Sequence, residues 1–338
     1  MPDLECVISD YHTHWDDPCV DRTLFGTTNP GAIAAILHDF VKNHLDSTVE
    51  DCLHYASSVG TAVGVRLQTG QSVLIKVHRA ETSLEVLQAL EKFRAHVVKF
   101  GVPVPEPLAL APLGRGYATV EAFLFVPSPP NGFDPAVRDC LAGGLARLNQ
   151  IGVDYPSRQG FRHARQPEPG GIWRTPHNEL FDLENTRSGA EWLDRFGQLS
   201  LARMPPAESP PIPGHTDWRV EHVRIDAGRI VAIFDWDSIF LDDEARLVGC
   251  AAAHYASNWE SGYDGPRYPT PDESNAFIAA YERARGFAFT ASASQRIGAA
   301  RLHELAYVAR LGHSLGGQHG PGSATDQLAK FGDGYLDV

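Results

Sequence analysis

Positive charge is scarce in this sequence. Lysine and arginine number 29 against 42 aspartates and glutamates, a net charge of -13 over 338 residues. Such a chain lacks the basic surface that phosphate backbones demand, which argues against a nucleic-acid partner. Cysteine is sparse as well. Cys6, Cys19, Cys52, Cys140 and Cys250 are scattered, odd in number and form no C-x-x-C pair. That excludes a disulfide frame or a cysteine zinc site, and predicts reduced, buried thiols in a cytosol. No run reaches the roughly 18 uninterrupted apolar residues that a membrane helix needs. The opening MPDLECVISDYHTHWDD is acidic and has no apolar core of signal-peptide length. There is no internal repeat and no low-complexity tract. What the chain does have is a 43% hydrophobic composition, enough for a sizeable core. These bounds predict a cytoplasmic protein with no membrane partner, and they leave the oligomeric state open.

Along the chain, residues 1 to about 28 read as irregular. Asn29-Pro30 looks like a helix start, with Asn29 as N-cap and Pro30 in the first turn. Ile33, Ile36, Leu37, Phe40, Val41 and Leu45 then follow at helical spacing. From Val49 to His78 the pattern is a meander of three strands, joined by the turns Ser57–Thr61 and Thr69-Gly70-Gln71. Residues 82–100 read as a helix ended by Gly101, and Val102-Pro103-Val104-Pro105 forces extended chain. A strand follows at 117–124, and Pro127, Pro129, Pro130 and Gly132 suggest a break between lobes. Beyond it the pattern is mainly helical, at 135–150, 188–203, 245–257, 273–284 and 293–313. An Arg-, Pro- and Gly-rich stretch at 155–180 is expected to be a long functional loop. A strand–loop–strand section occupies 212–237. The expected division is an N-terminal extension at 1–48, a small lobe at 49–126 and a large lobe at 127–338.

The chemistry concentrates at Gly214-His215-Thr216-Asp217-Trp218-Arg219-Val220-Glu221-His222 and, after a hairpin turning at Asp226-Ala227-Gly228, at Ile233-Phe234-Asp235-Trp236-Asp237. A carboxylate at the end of a buried strand needs a partner, commonly a metal ion. The hairpin brings Asp235 back toward Asp217, making a two-acid pocket suited to magnesium and phosphates. Asp237 reads as a third acid there or as a helix N-cap.

The pattern H-x-D-x-x-x-x-N, hairpin, I-D-W resembles the catalytic segment of the aminoglycoside/choline phosphotransferases, a protein-kinase-like family. The resemblance implies an α+β, bilobal fold, with a small antiparallel-sheet lobe and a mainly helical large lobe. It implies a kinase moving the γ-phosphate of ATP or GTP to a hydroxyl of a small molecule. Asp217 matches the catalytic aspartate, His215 a structural histidine of the catalytic loop, and Asp235 the metal-binding aspartate. His222 falls where the family has asparagine, a metal ligand. It binds manganese in place of Mg2+, acts through water, or does not touch metal. Lys76, inside Val73-Leu74-Ile75-Lys76-Val77, matches the lysine that holds the nucleotide phosphates. Ser58 and Gly60 belong to the turn matching the phosphate-covering loop, without its G-x-G-x-x-G. Glu91, with Glu85 as alternative, matches the glutamate paired to the lysine. Glu121 and Phe123 fall at the interlobe hinge that offers backbone groups to the base.

Two other readings stay in view. His222 and the glycine-poor turn fit a pseudokinase that binds without transferring. The H-x-H of His12 and His14, if on a strand end, would suit a metal-dependent hydrolase, though the meander and helices that follow are not a β/α barrel.

Overall fold

The computed structural model describes residues 3–14, 17–260, 263–317 and 320–338, so Trp15 and Asp16 of the N-terminal histidine segment lie outside the described residues. The chain divides into two compact units. One comprises Met1–Glu91, Pro105–Phe125 and His177–Leu180; the other comprises Lys92–Val104, Val126–Pro176 and Phe181–Val338.

The first unit is built on a five-stranded antiparallel sheet, ordered β1-β2-β3-β5-β4. Its strands are β1 (Val49–Ser57), β2 (Thr61–Leu67), β3 (Ser72–Val77), β4 (Pro107–Leu113) and β5 (Gly116–Ala122). The period of two sets the faces. Val63, Val65, Val73, Ile75, Val77, Ala118 and Val120 are buried in a core shared with three helices. Those helices are α1 (Leu4–His12), α2 (Cys19–Phe25) and α3 (Pro30–His44). The expectation of an irregular N-terminus is therefore corrected. Leu4 and Ile8 repeat one turn apart and are fully buried, and Gly26 ends α2 in the left-handed region at φ 72°. Each helix is too short for a convincing period, and it forms because the sheet gives its apolar face a surface. The third helix begins as its sequence dictates, with Asn29 accepting from the Ala32 amide. β4 was hidden by Pro107 and Pro112. As an edge strand it tolerates residues that donate no ladder bond. Helix α4 (Leu84–Val98) spans the boundary between the units.

The second unit is mainly helical, with α5 (Pro135–Asp154), α6 (Glu191–Arg203), α7 (Glu244–His254), α8 (Pro271–Arg285), α9 (Ala291–Ser314) and α10 (Ala324–Phe331). The long α9 packs against α6, α7 and α10. Two small antiparallel ribbons interrupt the helices: β6 (Ile212–His215) with β9 (Ile239–Asp242), and β7 (Val223–Asp226) with β8 (Arg229–Ile233). Asp243, not Asp237, caps α7, accepting from the Arg246 amide; Asp237 lies in a single 3-10 turn, Trp236–Ser238.

The stretch 155–180 carries no helix, as expected, yet it is pinned rather than loose. Arg174 makes a bidentate pair with Glu304, at 2.6 and 2.8 Å, and lies over the Tyr307 ring. Trp173 donates to Asp194 at 2.8 Å. The cysteines are all unpaired; Cys19 and Cys52 are buried as expected, whereas Cys6 is exposed and Cys140 and Cys250 are half-buried. No helix among the described residues is long and apolar enough to cross a membrane.

Candidate functional site

Backbone geometry gathers the acids of the second unit. β6 ends at His215 and β8 at Ile233, so Asp217 and Asp235 emerge from neighbouring ribbon ends. His215 joins the two. It is fully buried, its Nε2–H donates to the Phe234 carbonyl at 3.1 Å, and its Nδ1 accepts from the Asp217 amide at 3.3 Å. One ring nitrogen must donate and the other accept, which fixes a neutral imidazole. Burial, reinforced by the nearby His222, accordingly pushes its pKa down to about 4. Further bonds close the frame. Phe234 N–H donates to the His222 carbonyl at 2.8 Å, and the Thr216 amide and hydroxyl both reach Ser238 O at 2.9 Å. Asp235 itself is left-handed (φ 59°, ψ 46°), a conformation that costs an L-residue energy and turns its side chain off the strand. Its Oδ2 accepts from the Ser238 hydroxyl.

One ligand atom from each of Asp217, His222 and Asp235 lies within 4.8 Å of the others, so these three can converge on one cation. The oxygen donors suit a hard divalent ion. His222 suits it less. Its Nδ1 donates to the Asp217 carbonyl at 2.9 Å, which leaves Nε2 as the lone pair, and the Arg219 guanidinium already faces Nε2 at 3.3 Å.

Two residues at this site carry no pattern that the sequence singles out. Arg219 lies 3.3 Å from Asp217 Oδ2 and 3.5 Å from Glu221. His254, at the end of α7, has its Nε2 3.7 Å from Asp217 Oδ1. Burial pushes the Asp217 pKa up, but Arg219, His222 and His254 together more than offset it and hold it down at about 2. A third of the side chain is exposed, which screens the effect. Arg219 sits at one of the unspecified positions of the H-x-D-x-x-x-x-N pattern and His254 lies 37 residues beyond Asp217, so neither has a local signature.

The other predicted residues lie in the first unit. Lys76 pairs with Ala62 and Thr119 and, by alternation, projects from the sheet face opposite the helical core. Glu121 pairs with Leu74 on that same face and is buried. The Phe123 amide donates to Ser72 O at 3.0 Å, so that N–H extends the sheet and is not open to a base. Ser58 and Gly60 form the β1–β2 turn. A Cβ on Gly60 would lie 2.5 Å from the Val77 carbonyl, so glycine is required there by close packing on β3. On α4, Glu91 is half-buried and Glu85 exposed, which favours Glu91 of the two alternatives. His12 and His14 are not on a strand end: α1 runs through His12, whose Nε2 bonds Asp21, and His14 Nδ1 bonds the Asp10 carbonyl.

The family model described as the phosphotransferase enzyme family matches residues 61–293, more than half of the chain. The chain belongs to this family. Membership makes it a kinase, an enzyme that transfers phosphate to a hydroxyl. No curated protein sequence matches it. Among solved structures, the chain is similar to an amicoumacin kinase in complex with AMP-PNP, Ca2+ and Ami, with TM-score 0.59, 12% identity, and 85% of this chain and 88% of that one covered. It is similar to a spectinomycin phosphotransferase in complex with ADP and spectinomycin, with TM-score 0.56, 13% identity and 88% and 98% coverage. A macrolide 2'-phosphotransferase of type I gives TM-score 0.51 at 16% identity, with 88% and 97% coverage. At these identities the likeness establishes the protein-kinase-like α+β fold of the phosphotransferases.

Proposed function

We propose that the chain transfers the γ-phosphate of ATP or GTP to a hydroxyl of a small molecule, with Mg2+ or Mn2+ as the working cation. The observation that carries this reading is the convergence of Asp217, His222 and Asp235 at the ends of one hairpin. Asp217 and Asp235 would hold the cation, which supplies charge neutralisation at the phosphates when bound. Asp217 stays ionised in the neutral range, as a group that orients an acceptor hydroxyl must. His215 would hold the spacing of the two aspartates by bonding the Asp217 amide and the carbonyl of Phe234, the residue before Asp235. Lys76 would pair with nucleotide phosphates, Glu91 would orient Lys76, and Ser58 and Gly60 would cover the phosphates. The structural relatives bound to AMP-PNP and ADP support nucleotide use. Their small-molecule acceptors support an acceptor of that size, and the net charge of -13 is compatible with a cationic one.

A thermal-shift titration with ATP and GTP, each with Mg2+ or Mn2+, tests this on wild type and Asp235→Ala. A ligand at 100 times its dissociation constant adds about 2.7 kcal/mol to stability. A metal-dependent rise in Tm, absent in the variant, is expected. Equal rises in both proteins would remove Asp235 from the site. Binding without transfer under any metal would favour the pseudokinase reading, for which His222 and its Arg219 contact are the structural ground.

A further inference from the structure

The β1–β2 turn lacks the glycines that normally let a backbone fold over phosphates, and the first unit surrounds it with side chains instead. Asp21 on α2 is 1% exposed, yet both its carboxyl oxygens are saturated. Oδ1 accepts from the hydroxyls of Ser57 at 2.8 Å and Thr61 at 2.7 Å, the two stems of the turn. Oδ2 accepts from Tyr55 OH at 2.8 Å and pairs with His12 Nε2 at 2.7 Å. Tyr11 on α1 takes both backbone groups of Ser57: its hydroxyl donates to the carbonyl at 2.8 Å and accepts from the amide at 2.9 Å.

The tip is held in the same way. Arg79 Nε donates to Val59 O at 2.8 Å while its guanidinium pairs with Glu179. Asn178 reaches Ser58 O at 3.5 Å, and Ser58 N–H bonds Gly60 O at 2.9 Å. Each carbonyl from Ser57 to Gly60 is thereby occupied. Among the described residues, no protein acceptor takes the amides of Val59 and Gly60. Successive backbone N–H groups that no protein acceptor takes are the raw material of an anion-binding concavity.

We infer that Asp21, with Tyr11, is a positioning residue for nucleotide phosphates, holding the Ser57–Thr61 turn in its phosphate-binding shape from an N-terminal helical clamp. The inference rests on the nucleotide-binding reading above and adds a role for α1 and α2. Rigidity supplied by side chains replaces the sequence signature: the turn is pre-organised, so little ordering entropy is lost when phosphate binds.

The test compares affinities of ATP, ADP and adenosine, with Mg2+, for wild type, Asp21→Asn, Tyr11→Phe and Leu37→Ala, by calorimetry. Asp21→Asn turns two acceptor positions into donors facing hydroxyls and is expected to weaken ATP and ADP on the order of tenfold, with adenosine unchanged. Tyr11→Phe, a milder loss that keeps the ring packing, is expected to weaken them roughly threefold and stands in if Asp21→Asn does not fold. Leu37→Ala opens the core of the same unit away from the turn. It is expected to lower Tm and leave the ratio of ATP to adenosine affinity as in wild type. Asp21→Asn and Tyr11→Phe with the wild-type ratio would overturn the clamp. So would a Leu37→Ala ratio shifted as far as theirs, since loosening of the unit alone would then explain the loss. Wild type that binds none of the three ligands would sink the nucleotide reading and the clamp together; wild type that binds, with variants unchanged, would sink the clamp alone.

Discussion

At the scale of single residues, the site is governed by which nitrogens and oxygens are already engaged. His215 serves as a neutral spacer with both ring nitrogens committed to backbone. His222 is similarly engaged, between the Asp217 carbonyl and Arg219. A side-chain amide at position 222 would offer a cation an oxygen in place of an imidazole nitrogen crowded by a guanidinium. His222→Asn is therefore expected to move metal preference toward Mg2+, with apparent Mg2+ affinity higher on the order of tenfold. Metal titration of the nucleotide-bound protein checks this, and unchanged preference would place His222 outside the metal's reach. Of these residues, Asp217, His215, His222 and Asp235 were legible from the sequence because they fall in one short stretch whose pattern resembles the catalytic segment of the phosphotransferases. Arg219 and His254 were not, because their proximity to Asp217 is created by the fold: His254 arrives on α7, well beyond the hairpin in the chain.

At the scale of elements, the β7–β8 hairpin that lies between the two aspartates in the chain turns through Ala227 and Gly228, both left-handed at φ 45° and 72°. Such two-residue turns match the twist of the strands, and alanine is a poor occupant of the first position. Ala227→Asn is expected to raise stability by about 0.5–1 kcal/mol, as Asn tolerates that conformation. Chemical denaturation measures it, and a loss of stability would mean that the turn relies on the alanine methyl for packing. Elements with a strong local code were readable: the capped α3, the meander β1–β3 and the periodic helices of the second unit. Those that depend on context were not. α1 and α2 are a few turns of amphipathic chain that require the sheet, and β4 contains prolines that only an edge position accommodates. The Phe123 amide, placed by the resemblance at a hinge that faces a base, donates to Ser72 O instead, within the 117–124 stretch that the pattern already marks as strand.

At the scale of the whole molecule, pH acts through histidines buried in their neutral form. Burial pushes His303 down to about 4, as it does His215, and His303 Nε2–H donates to the Ile172 carbonyl at 2.9 Å. The unfolded chain accepts protons near the ordinary histidine value of about 6.5, whereas the folded chain refuses them until about 4. Stability is thus undiminished above pH 6.5 and falls as pH drops from 6.5 toward 4, by up to about 3 kcal/mol for each group. Thermal melts across that window are expected to show a falling Tm in wild type and a shallower fall in His303→Gln. Equal slopes would assign the acid sensitivity elsewhere.

The two units are also interleaved along the chain. The turn that Asp21 and Tyr11 hold from below receives Asn178 and Glu179 only after about 50 further residues of the second unit have been laid down beyond Phe125. At about 5–20 residues per second, a ribosome takes several seconds to cover that distance. For that interval a nascent chain carries its five-stranded sheet complete in sequence while the tip of the turn still lacks its last two partners. The N-terminal clamp, together with Arg79 on the Val59 carbonyl, is then what restrains the turn against premature capture by a chaperone or a protease.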